Sequence, residues 1–197
     1  MVRGRPRKID PEKALEAAMK TFWDKGYDAT SLSDLVAATG MAKPGLYATF
    51  GDKQEIYTKS LENYVRLHGM PLMGRLMQSE KPAKEAFRDL FIAMVDSFFD
   101  ENTPDGCFLA NSLVKSKNNE PSISALANSI QQFRKGKFRD YLDLAQEKGL
   151  LAPENDSEKL ADYFSAQAIT LPVMHKTGAS KENLHMFIET VITIIRD

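Results

Sequence analysis

The chain is poor in the residues that build staples, metal centres and membrane spans. It has one cysteine in 197 residues, which excludes an internal disulfide and a thiolate zinc site. Its three histidines, His68, His175 and His185, lack the close spacing of metal ligands. No apolar run approaches the roughly 20 residues that cross a bilayer as a helix. The basic start Met1–Lys8 leads into no apolar core, so it does not read as a secretory leader. These absences point to a reduced, cytoplasmic protein without a membrane partner. No nucleophile–base pair and no phosphate-binding loop stands in the sequence, which argues against an enzyme and against a bound cofactor.

Strand signals are scarce too. There is no convincing two-residue alternation and no hairpin dipeptide between alternating segments. Helical periodicity, with 43% hydrophobic residues to supply a core, is what remains. Asp10-Pro11 reads as a helix start, with Ala14, Leu15, Ala18 and Phe22 on one face and Gly26 as the stop. Ser31 and Asp34 form a capping-box pattern for a second helix ending at Gly40. A short third helix is expected over 43–49 and a fourth from Lys53 toward Gly69-Met70-Pro71. Amphipathic helices are then expected over 83–100, 107–115, 122–148, 157–174 and 180–196. The expected fold is all-α.

Net charge is only −1, but it is unevenly spread. The first 53 residues carry 9 Lys+Arg against 7 Asp+Glu, and four of the cations, Arg3, Arg5, Arg7 and Lys8, precede the first acid. A local basic patch of this kind suits nucleic acid more than the global sum suggests. Two short helices joined by a glycine turn, Leu32 to Thr49, have the length of a helix-turn-helix. In such a unit the second helix enters the major groove with its N-terminal residues at the base edges. Met41 is expected to fill the angle between the helices.

The ordered run Ala14-Leu15, Ala17-Ala18, Phe22, Gly26-Tyr27, Ala29-Thr30-Ser31, Leu35, Ala38, Gly40-Met41, Lys43-Pro44-Gly45-Leu46-Tyr47 and Phe50-Gly51-Asp52-Lys53 resembles the DNA-binding domain of the TetR family of transcriptional regulators. The resemblance covers residues 10–57, about a quarter of the chain. It implies a helix-turn-helix domain with a basic arm at 1–53 and a ligand-binding and dimerisation domain at 54–197. It implies a repressor, released from a palindromic double-stranded DNA operator by a small-molecule or redox/electrophile signal. The alternative is an effector-independent DNA-binding protein with a closed core.

The resemblance assigns phosphate contacts to Tyr47, Lys53 and Thr30 or Ser31, and the recognition helix's leading edge to Lys43, Pro44 and Gly45. Ala42 departs from the Ser or Thr common in the family, leaving that helix poorly capped. Gly45 and Ala48 are short, so Lys43 and Thr49 are the candidates for direct base readout. Arg3, Arg5 and Arg7 are candidates for a minor groove. The family also places a ligand pocket where Phe91, Met94, Phe98, Cys107, Phe108 and Phe133 fall. All six also suit a packed core. The stretch Gly106-Cys107-Phe108 resembles a subgroup whose members sense electrophiles or oxidants. A homodimer is expected through the apolar faces of the last two helices, Leu160, Phe164 and Ala168 with Leu184, Ile188, Val191 and Ile195.

Overall fold

A computed structural model describes residues 9–114 and 121–196, and among these every regular element is helical. The N-terminal unit holds α1 (Pro11–Lys25), α2 (Leu32–Thr39) and α3 (Lys43–Phe50). It is followed by α4 (Lys53–Tyr64), α5 (Met70–Met77), α6 (Ala83–Phe98), α7 (Phe108–Val114), α8 (Pro121–Glu147), α9 (Ser157–Lys176) and α10 (Lys181–Val191).

Local chemistry accounts for the boundaries. The Asp10 carboxylate accepts from the Glu12 N–H at 3.0 Å and Pro11 sits where no N–H is needed. Ser31 and Asp34 cap α2 reciprocally, and Asp52 and Glu55 do the same for α4. Gly40 closes α2 at φ +68°, a left-handed conformation that a side chain resists. Gly51 has φ +90°, and a Cβ there would fall 1.9 Å from the Glu55 carboxylate that caps α4.

The expected stop at Gly69-Met70-Pro71 is not a stop. A single π turn, Val65–Gly69, carries the helical path from α4 straight into α5. Pro71 stands in the first turn of α5, directly after the π turn, where the regular i→i−4 ladder is already interrupted.

α1 packs on both α2 and α4, so the helix that leaves the N-terminal unit is also its third wall. The larger unit is built around α6, α8, α9 and α10. Phe87 stacks on Phe164 with centroids 4.1 Å apart and meets Phe138 edge-on at 5.3 Å. The seven side chains expected at a subunit interface lie inside this packing. Leu160, Phe164, Ala168, Leu184, Ile188, Val191 and Ile195 are all buried within the one chain. The apolar stripe at helical spacing faces α6 and α8 because the chain's own core claims the widest apolar faces first. The outward surfaces of α9, α10 and the 3-10 turn after it (Ile192–Ile194) carry Val173, Met186 and Ile194 instead.

Candidate nucleic-acid interface and effector cavity

α3 presents the outer face of the N-terminal unit. Leu46 and Phe50 anchor it inward, and half-buried Met41 packs against the core at the turn. Lys43, Pro44, Gly45, Ala48 and Thr49 are exposed, and Tyr47 is half-buried with its ring 5.7 Å from the Lys43 ammonium. Ala42 provides no side-chain cap, so the N-terminal N–H groups of α3 open toward solvent or an anion. The Thr49 hydroxyl donates to the Gly45 carbonyl at 2.8 Å, leaving its oxygen to accept. The Lys53 ammonium lies 4.4 Å above the Tyr27 ring at the start of α4, a cation–π contact that fixes the charge in place.

Thr30 and Ser31 differ sharply. Thr30 is fully buried and its hydroxyl donates to the Gly26 carbonyl at 2.6 Å, so its side chain closes the α1–α2 turn and does not reach outward. Ser31 is exposed and 2.6 Å from the Asp34 carboxylate. Hydrogen bonds from Lys25 and then Ser31 hold the Asp34 carboxyl well below the usual carboxylate range. Arg3, Arg5 and Arg7 lie outside the described residues.

The second site is a cavity of about 310 Å³ between α4, the π turn, α5, α6 and α8. Met94, Phe98, Cys107 and Phe133 line it, as the sequence reading expected. Phe91 does not; it is sealed against Phe164, centroids 5.8 Å apart. Phe108 does not either. It meets Tyr57 at 5.2 Å and Tyr64 at 5.8 Å, and borders a separate recess with Phe22 and Tyr27. Phe133 sits 49% exposed at the cavity's edge. The inward row of α8 runs through Ile123, Ala127, Phe138, Tyr141 and Leu142, one position out of step with Phe133.

That row also exposes a residue missed from sequence. Arg134 lies four residues after Ile130 and four before Phe138, on the apolar side of α8, and lines the cavity. A charged residue reads by default as solvent-facing; the signal was its i±4 spacing to two apolar neighbours. Its guanidinium donates to Gln131 and, at 3.3 Å, to the Ser165 carbonyl. Its Nε is buried without a hydrogen-bond partner.

Cys107 is 5% exposed and stands just before α7. The Tyr64 hydroxyl donates to its sulfur at 3.3 Å and the Ala110 N–H at 3.5 Å. Burial pushes the Tyr64 phenol well above its ordinary range, with the neighbouring Cys107 acting in the same direction.

The two sites touch. Trp23 of α1 meets Tyr64 and His68 of the cavity edge-on, centroids 4.8 and 5.3 Å apart, and its indole N–H donates to the Asp105 carbonyl at 3.2 Å. Tyr57 of α4 is 2.7 Å from the Ser112 hydroxyl of α7. From Lys53 over the Tyr27 ring, aromatic contacts run on through Tyr27–Tyr57 at 5.3 Å, Tyr57–Phe108 and Phe108–Tyr64 to the cavity wall.

Residues 14–59 match a family described as bacterial regulatory proteins, tetR family. The chain is 32% identical over 192 residues to the HTH-type transcriptional repressor ComR of Escherichia coli (strain K12), spanning 98% of this chain and 91% of the relative. Among solved structures, a cysteine-substituted form of the TetR family transcriptional regulator CifR, complexed with 26-base-pair double-strand operator DNA, superposes with a TM-score of 0.87. It is 26% identical and covers 98% of this chain and 100% of that one. The reduced form of Escherichia coli NemR has the same fold, with a TM-score of 0.81 at 17% identity, over 94% of this chain and 96% of that one.

Proposed function

The chain belongs to the TetR family of bacterial regulatory proteins, which are DNA-binding regulators and not enzymes, and on that premise we propose that it is a homodimeric, cytoplasmic repressor that leaves its operator when the cavity is occupied or modified. Residues 1–53 form the DNA-binding part and residues 54–197 the effector and dimerisation part. The observation that carries this reading is the joint position of α4. It frames the N-terminal unit against α1 and, through the π turn, forms one side of the cavity.

Lys43, Pro44 and Gly45 lead into the major groove, Lys43 and Thr49 read bases, and Tyr47, Ser31 and Lys53 hold phosphates. Thr30 serves this surface only by closing the turn beneath it. The Arg3, Arg5 and Arg7 arm follows a minor groove. Two subunits place their recognition helices for half-sites about 34–36 Å apart on a palindromic operator. The second subunit docks on the outward faces of α9, α10 and the 3-10 turn after it, around Val173, Met186 and Ile194.

An effector acts only by favouring one of two separations of the recognition helices, by its differential affinity for them. Residues of the π turn line the cavity, so filling it displaces the end of α4, and α1 follows through Trp23. Cys107 lies on the same cavity, which gives an oxidant or electrophile the same lever. A cavity of this volume supports an effector-dependent regulator over an effector-independent one. The test is fluorescence anisotropy with the DNA upstream of the protein's own gene, followed by footprinting. A two-fold symmetric protected site supports the reading. Affinity no greater than for random DNA at the same salt overturns it.

A further inference from the structure

The cavity is apolar over most of its surface, yet its charged lining is of one sign. Arg134 and Arg75 border it, and among the described residues no aspartate or glutamate does. Arg134 has no carboxylate partner among the described residues. The guanidinium relies on Gln131 and one backbone carbonyl, and its Nε is unpaired. Burial pushes its pKa down, with Cys107 and Tyr64 the two neighbours that act the other way. A cation taken out of water without a counter-charge is costly, and so is a buried donor without an acceptor. An acceptor in the cavity would satisfy the buried Nε–H, and an anion would also supply the missing counter-charge.

We propose that the effector of this cavity is an apolar monocarboxylate whose head group pairs with Arg134 and whose body lies among Met94, Phe98 and Leu90. The inference rests on the regulatory reading above and gives the effector its chemical class. A guanidinium recognises a planar carboxylate by parallel N–H···O bonds, and the unpaired Nε–H is one such donor. Arg75, exposed at the rim, draws the anion in. At roughly 30 Å³ per water-sized group, the cavity takes about ten heavy atoms, the size of octanoate.

Trp23 is the only tryptophan and packs on Tyr64 and His68, both of which line the cavity, so its emission reports occupancy. Octanoate, 1-octanol and octylamine are titrated into the purified protein at pH 7.5, with no DNA present. Octanoate is expected to bind about tenfold or more tightly than 1-octanol, and octylamine more weakly than either. Arg134→Met removes the preference for octanoate and keeps 1-octanol binding, which also certifies its fold; Arg134→Lys keeps part of the preference. Equal affinity for octanoate and 1-octanol in the wild type overturns the proposal whether or not either variant folds. So does an unchanged preference in Arg134→Met. The titrations are repeated with operator DNA bound. Octanoate that binds in the Arg134-dependent way but leaves DNA affinity unchanged sustains the anion site and overturns the effector reading instead.

Discussion

The Trp23 indole stands edge-on to the Tyr64 ring, centroids 4.8 Å apart and planes at 78°. One ring belongs to the first helix of the DNA-binding unit and the other lines the cavity, so this pair joins the two halves of the proposed switch. Such edge-to-face pairs add about 0.5–1.5 kcal/mol beyond their buried area.

Tyr47→Ala and Lys53→Ala are each expected to weaken binding to any DNA while leaving the oligomeric state unchanged. Lys53 is held over the Tyr27 ring at 4.4 Å, so its charge arrives at the phosphate already positioned. Removing one phosphate contact lowers the salt slope of the binding constant by about one unit, uniformly across sequences. Anisotropy titrations at four salt concentrations measure it. An unchanged slope in Lys53→Ala removes that residue from the DNA contacts.

Met186→Glu is expected to yield a folded monomer, and Leu184→Ala an unstable protein. Met186 is 63% exposed on α10, whereas Leu184 is fully buried in the chain's own core. A charge on an outward face opposes association and leaves the monomer intact. Truncating a buried leucine costs about 2–5 kcal/mol wherever the second subunit sits. Light scattering on the wild type should give twice the chain mass of 22.1 kDa. A Met186→Glu protein that remains dimeric places the interface elsewhere.

The helix ends of the N-terminal unit were legible in the sequence because capping is local, whereas the stop expected at Gly69-Met70-Pro71 proved to be a π turn. Asp10, Ser31 with Asp34, and Gly40 act within one turn, and all three form as their residue types dictate. The direction of a side chain was less legible wherever a distant helix decides it. Phe133 suits a packed core but sits 49% exposed at the cavity's edge, and Arg134, the charged neighbour, lines the same cavity from the apolar side of α8. Thr30 reads as a surface hydroxyl, yet it is needed by the Gly26 carbonyl that α1 leaves open. The stripe from Leu160 to Ile195 shows the same limit. Periodicity reveals that a face is buried and says nothing of whether the same chain or another copy buries it.

His68 is expected to make stability fall on the acid side of neutrality. It lies in the π turn, stacked on Tyr64 at 5.0 Å, and burial lowers its pKa below the ordinary histidine value. The folded state therefore resists the proton that the unfolded state accepts. Its contribution is full above about pH 6.5 and is lost as pH falls toward the lower folded value. Asp34 has the same sign but acts only below about pH 4, so the two windows separate. Urea midpoints of wild type and His68→Gln between pH 7.5 and 5 compare them. Parallel curves would show that His68 does not titrate in this way.

Peroxide is expected to weaken operator binding through Cys107. The sulfur lines the cavity, near Tyr64 and just before α7, and is 5% exposed; the cavity gives a reagent a route to it. Hydrogen peroxide converts the thiol to a sulfenic acid, with one oxygen transferred and water released. The added oxygen must fit where the Tyr64 hydroxyl already stands 3.3 Å from sulfur and the Ala110 N–H 3.5 Å. Overpacking of this kind costs about 1–3 kcal/mol. Tyr64 is the neighbour best placed to relieve it, because it sits where α4 passes into the π turn. A shift there carries Trp23 and the DNA-binding unit with it. DNA affinity of wild type and Cys107→Ser, each with and without peroxide, isolates the effect, with mass spectrometry confirming the oxygen on the wild type. Loss confined to oxidised wild type is the expected result. Equal affinity in all four samples, with the oxygen confirmed, would show that Cys107 packs and does not signal.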